Sequence, residues 1–130
     1  MDRLFLDANV LFSAAYGSLG LGKLWDGARQ GRCKLMASAY VMEEAVRNLS
    51  RSDHLARLLA ELVIVPEADP VIPCPVDLPD KDVPVLMAAI QSRATHLITG
   101  DLAHFGSYRG KTFLGVFICT PGDYLSKCPV

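Results

Sequence analysis

No apolar stretch in this sequence approaches the roughly 20 residues that a membrane-spanning helix needs. Asp2 and Arg3 run straight into the short apolar segment Leu4-Phe5-Leu6, which is not the pattern of a secretory leader. Cysteine is sparse and scattered: Cys33, Cys74, Cys119 and Cys128 form no CxxC pair, and the only histidines are His54, His96 and His104. That spacing argues against a structural zinc site and for free thiols in a cytoplasmic protein. An excess of one charge is lacking too, with 13 Lys+Arg against 14 Asp+Glu. The basic balance that marks many nucleic-acid binders is absent, although acids gathered in one site would leave the remaining surface relatively basic.

What the chain does have is apolar content, 51% of its 130 residues. That suffices for a sizeable core, and one soluble domain over 1–130 is expected. Residues 3–7 read as a short buried strand. Helix-compatible spacing follows over 10–30, with Leu11, Ala14, Ala15, Leu21, Leu24, Trp25 and Ala28 on the inner side. Gly17, Gly20 and Gly22 are expected to split that region, and Gly31 to end it.

Leu35-Met36-Ala37 suggests a second strand. Ser38 is placed to cap a helix whose inner stripe is Val41, Met42, Ala45, Val46 and Leu49. A helix over 53–61 and a β-branched strand over 62–65 come next. The proline-rich segment 66–81 reads as a connection. A helix from Asp82 to Ala94 tolerates Pro84 in its first turn. His96 to Thr99 and Phe113 to Cys119 read as strands, and Pro121 opens a terminal helix. Alternating strands and helices predict a three-layer α/β/α sandwich with a mainly parallel central sheet. Ligands of such folds sit outside the carboxyl ends of the strands.

Four acids fall at that edge: Asp7 after the first strand, Glu44 on the helix following Ser38, Asp82 at the start of the long helix, and Asp101 after Thr99-Gly100. In isolation each has an ordinary use. Asp7 and Asp82 can cap helices, Glu44 can face solvent, and Asp101 can occupy a turn. Their shared placement is the stronger signal, because crowded carboxylates need a compensating charge and a hard divalent cation supplies it.

The ordered segments Leu4-Phe5-Leu6-Asp7-Ala8-Asn9, Ser38 to Leu49, Leu78 to Ala89, His96-Leu97-Ile98-Thr99-Gly100-Asp101 and Val116 to Leu125 together resemble the PIN-domain family of metal-dependent ribonucleases, in its small stand-alone, VapC-like form. The resemblance implies that Asp7, Glu44, Asp82 and Asp101 are the acidic site residues, with Asn9 and Thr99 as polar support. Glu43 and Asp80 compete with Glu44 and Asp82 in the alignment. Asp123 falls where some members carry a further acid.

Mg²⁺ or Mn²⁺ would then be the cofactor, with Asp7 and Asp101 holding the principal ion and Glu44 with Asp82 able to hold a second. The substrate implied is single-stranded or looped RNA. Lys23, Arg29, Arg47, Arg51, Arg57, Arg93, Arg109 and Lys111 are candidate phosphate contacts, equally readable as routine surface charges. Tyr16, Trp25, Tyr40 and Tyr108 are aromatics able to stack on bases, with Trp25 better suited to a core or an interface. His104 closely follows Asp101 and could touch substrate; a place in the second layer of the site or an exposed one is preferred.

Small proteins of this type resemble the toxin half of bacterial toxin–antitoxin pairs, which implies a homodimer and an antitoxin partner. Leu19, Leu21, Leu24 and Trp25 are candidates for such a face. The competing function is a PIN-like module that has lost catalysis and binds protein or RNA. A phosphatase would call for a DxD where this chain has Asp7-Ala8-Asn9.

Overall fold

The structure, a computed structural model, describes residues 1–48 and 53–127; the expectations that involve Leu49, Arg51 and Cys128 fall outside them. In chain order the elements are β1 (Asp2–Leu6), α1 (Ala8–Ala15), α2 (Leu19–Arg29), β2 (Cys33–Ser38), α3 (Ala39–Asn48), α4 (Asp53–Ala60) and β3 (Val63–Val65). They continue with α5 (Val83–Gln91), β4 (His96–Ile98), α6 (Leu102–Phe105), a 3-10 turn over Gly106–Tyr108, β5 (Thr112–Phe113), β6 (Val116–Cys119) and α7 (Pro121–Lys127).

The six strands form one sheet in the order β3-β2-β1-β4-β6-β5. Every pair is parallel except β5 with β6, so the architecture is an α/β/α sandwich around a mixed, mainly parallel sheet. β1 lies between β2 and β4, and Leu4, Phe5 and Leu6 are fully buried. A continuous apolar run rather than an alternating one is what a strand covered on both faces requires.

Successive strands step to one side of β1 through β2 and β3, and then β4 and β6 lie on its other side. The strand order therefore reverses between β1 and β4. Chain segments leaving their carboxyl ends diverge there and open a crevice.

Several boundaries differ from expectation. The 10–30 region does break, but only Gly17, at φ +95°, lies in the break; Gly20 and Gly22 fall inside α2. Ser18 starts α2 by accepting a hydrogen bond from the Leu21 N–H. Helix α5 stops at Gln91 rather than Ala94. Arg93 takes a left-handed φ of +59°, and the Arg3 guanidinium donates to the carbonyls of Ser92 and Arg93 at the helix end.

The strand expected over Phe113–Cys119 is two strands, folded back at Leu114 (φ +49°) and Gly115 (φ +89°). Positive φ at both central residues is the turn that suits a tight hairpin. On α3, Val46 is 46% exposed rather than internal. Trp25 is core, with its Nε1–H donating to the Leu58 carbonyl. Of the apolar face proposed for partners, Leu24 is buried with it, Leu21 is partly buried and Leu19 is exposed. No described helix is long and apolar enough to cross a membrane.

Candidate metal centre

The parallel ladder runs one residue past the strands and places the first two site residues side by side. Asp7 N–H donates to the Ile98 carbonyl and Thr99 N–H to that of Cys119, each at 3.0 Å. The Thr99 hydroxyl then donates to Asp7 Oδ2 at 2.8 Å. Asp7 is also the N-cap of α1, with Oδ1 accepting from the Ala8 N–H at 2.7 Å.

Asn9 ties the two strand ends together. Its Nδ2 donates to Asp7 Oδ2 (3.2 Å), and its Oδ1 accepts from the Gly100 N–H (2.7 Å). A Cβ on Gly100 would lie 3.2 Å from that oxygen, so glycine is what lets the loop come this close. Asp101 follows, its N–H donating to Thr99 Oγ1, and its own Oδ1 caps α6 by accepting from the His104 N–H.

Asp82 stands at the start of α5 without making a side-chain cap. The bland role open to it, capping that helix, is thus not the one it plays. Glu44 comes from α3, whose first turn is held by Ser38 Oγ accepting from the Val41 N–H. Asp7, Ala8, Asn9, Phe12, Glu44, Lys81, Asp82 and Asp101 line one pocket of about 290 Å³. Four distant segments thus deliver their carboxylates to a single crevice at the reversal of strand order.

Thr99 is buried behind this pocket. Glu43, next to Glu44 on the helix, lines a separate apolar groove with Met42, Val46, Leu59 and Ile64. Asp80 is exposed and does not line the acidic pocket. Asp123 belongs elsewhere: it takes Arg109 in a two-pronged pair at 2.8 and 2.7 Å and lines a different pocket. That pairing, together with the Thr120 N–H, holds its carboxyl well below the usual range.

Burial pushes the Asp7 carboxyl up to about 6, against the pull of its bonds to Thr99 and Ala8, and Glu44 and Asp82 push in the same direction. Asp82 is raised as well, by burial first, with His104 working against it. The Tyr40 hydroxyl, which donates to the Lys81 carbonyl at 2.8 Å, is raised by burial and then by the nearby Glu44 and Asp82.

His104 stands closer to the acids than sequence spacing suggested. Its Nδ1 is 2.8 Å from Asp82 Oδ2 and 2.9 Å from Asp101 Oδ2. Asp82 Oδ2 and His104 Nδ1 are sealed from solvent, yet neither has a hydrogen bond of proper direction. Asp82, Asp101 and His104 each offer a ligand atom within 4.8 Å of the others. Adjacent donors around Mg²⁺ or Mn²⁺ lie about 3 Å apart, so the spacing and the orphaned atoms fit a divalent cation. Asp7, by contrast, already accepts from Ala8, Thr99 and Asn9.

Of the expected phosphate contacts, Arg29 is engaged by Glu61 and Asp26, and Arg109 by Asp123. The cation in the pocket wall is Lys81, which the sequence did not single out. Phe12 was also missed; its ring makes an edge-to-face contact with Tyr16, centroids 4.8 Å apart.

A mainly parallel sheet reversing between β1 and β4, with an acidic pocket at that reversal, defines an α/β domain whose side chains could hold a metal ion. The PIN domain family matches residues 3–103, and the chain belongs to that family. No curated protein matches it in sequence. Among solved structures the fold is similar to a chain in the crystal structure of VapBC2 from Rickettsia felis bound to a DNA fragment from their promoter. The TM-score is 0.65 at 15% identity, covering 91% of this chain and 98% of that one. The fold is thus VapC-like.

Proposed function

We propose that the protein is a Mg²⁺- or Mn²⁺-dependent endoribonuclease acting on single-stranded or looped RNA. The observation that carries this reading is the convergence of Asp7, Glu44, Asp82 and Asp101 on one pocket, in a chain of the PIN family. Asp82 and Asp101 would hold the cation, with Asp7 and Glu44 in the same wall. A bound divalent ion supplies Lewis-acid stabilisation of phosphoryl oxygens and makes water a better nucleophile at neutral pH.

The remaining work falls to the chain. Thr99 and Asn9 fix the Asp7 carboxylate by donating to Oδ2. Lys81 brings a positive charge to the pocket wall, suited to a phosphate beside the acids. Phe12 and Tyr16 offer aromatic surface leading out along α1, and Tyr16 is 69% exposed. An unpaired base can stack there; a base locked in a duplex cannot.

The role as toxin of a toxin–antitoxin pair belongs to the same proposal. It is supported by the VapC-like fold and by the neighbour whose structure contains VapBC2 with promoter DNA. A homodimer is the assembly proposed. Growth arrest on expression, relieved by a protein encoded beside it, tests the toxin role, and light scattering tests the dimer.

The decisive experiment is a cleavage assay on a single-stranded RNA pool, with Mg²⁺, Mn²⁺ or chelator. Metal-dependent cutting that disappears in Asp7→Asn and Asp101→Asn supports the enzyme. Metal-dependent RNA retention with no cutting would instead make the protein a binding module.

A further inference from the structure

We infer that the His104 imidazole is a ligand of the metal centre and that this nitrogen gives the site a preference for Mn²⁺ over Mg²⁺. The inference rests on the metal-dependent reading above and adds the identity of the ion. It begins with the division of labour within Asp101. One oxygen, Oδ1, accepts from the His104 backbone N–H and caps α6. The other, Oδ2, lies 2.9 Å from His104 Nδ1.

Asp82 reaches the same nitrogen from α5, with Oδ2 at 2.8 Å. Asp82 is only 6% exposed, and its Oδ2 and the imidazole Nδ1 have no hydrogen bond of proper direction. Two carboxylate oxygens therefore lie 2.8 and 2.9 Å from one ring nitrogen, and neither that nitrogen nor Asp82 Oδ2 is satisfied by a hydrogen bond. A plain ion pair would align the N–H with an oxygen. A shared cation needs ligand atoms gathered this closely, and the three lie within 4.8 Å of one another with Asp82 Oδ2 and His104 Nδ1 left without a hydrogen bond.

Donor chemistry then decides between the ions. Mg²⁺ is hard and takes oxygen, surrendering water reluctantly. Carboxylate oxygens serve Mg²⁺ and Mn²⁺ alike, but of the two only Mn²⁺ is a transition ion, to which a coordinating imidazole nitrogen adds affinity. Replacing the side chain leaves the cap on α6 intact, because that bond uses the backbone N–H of residue 104. The substitution thus removes the nitrogen without dismantling the turn that carries it.

The test is metal binding in the absence of RNA. Calorimetric titration with Mn²⁺ and with Mg²⁺ compares the wild type with His104→Ala and His104→Gln, their folding checked by thermal melting. Loss of the imidazole should weaken Mn²⁺ binding at least roughly tenfold and Mg²⁺ binding much less. Pulsed electron paramagnetic resonance of the Mn²⁺-loaded wild type should show coupling to ¹⁴N that vanishes in both variants.

A wild type without ¹⁴N coupling overturns the inference even if the variants do not fold. So does an unchanged or higher Mn²⁺ affinity in His104→Ala, since the imidazole would then be a counter-charge occupying the ion's place. Normal Mn²⁺ binding with ¹⁴N coupling but no RNA cleavage would overturn the nuclease reading and leave this inference standing.

Discussion

Replacing Asp7 by asparagine should stabilise the metal-free protein at neutral pH while removing cleavage. The reason is the cost of burying a charge. The Asp7 carboxyl ordinarily loses its proton at 3.8 but holds it to about 6 in the fold, chiefly because it is buried. Between those values the folded state carries a proton that the unfolded chain has released. Stability is therefore highest below the lower value and declines as pH rises through the upper one.

At about 1.4 kcal/mol for each pH unit, the gap is worth about 3 kcal/mol. Asparagine carries no such titration. It does sacrifice part of the bonding with Asn9 and Thr99, at about 1 kcal/mol. Asp7→Asn should then be about 1 kcal/mol less stable than wild type at pH 4 and about 2 kcal/mol more stable at pH 7. For a chain of this size the second figure is roughly 8 °C in melting temperature. Urea melts of both proteins from pH 4 to 7, with chelator present, measure the difference directly. Asp82 titrates in both and cancels to first order. Parallel stability profiles across that range would refute the assignment of the burial cost to Asp7.

Gly100→Ala should lower cleavage more than stability, because its Cβ would press at 3.2 Å on Asn9 Oδ1 and loosen the link between the two strand ends. A melting shift worth about 1 kcal/mol with a larger fall in kcat is expected. Trp25→Phe should cost about 1 kcal/mol in urea unfolding by removing the indole N–H donated to the buried Leu58 carbonyl, which keeps its bond from the Glu61 N–H, with cleavage unchanged where the protein remains folded. Asp123→Asn should leave cleavage intact and change stability by less than about 1 kcal/mol, since its partner Arg109 is solvent-exposed; a strong loss of activity would return Asp123 to the site.

Strands and acids were legible in the sequence for a common physical reason. A strand buried on both faces must be apolar throughout, and an aspartate standing directly after such a run falls at the carboxyl edge of the sheet, where the crevice opens. Glu44 and Glu43 lie roughly 100° apart around one helix, and the structure turns them to different grooves. His104 was named but placed at the periphery, because α6 has four residues, too few to display a period that would show which way its side chain faces.

Lys81 sits in a connection whose path no pattern encodes; the Tyr40 hydroxyl bond brings it to the pocket. The β5–β6 hairpin turns on Leu114-Gly115 rather than the Asn-Gly pair that announces such turns. Arg29 and Arg109 looked available to phosphate because their partners Glu61 and Asp123 are far along the chain.

Because the cation's proposed donors and their neighbours arrive from opposite halves of the polypeptide, no fragment ending before α6 owns the complete set. An ion gripping only the finished arrangement adds stability that grows with the logarithm of its free concentration over its dissociation constant. Under the proposed nuclease function, nascent or partly melted copies would meet RNA unarmed, and completing the fold would be the step that arms the molecule.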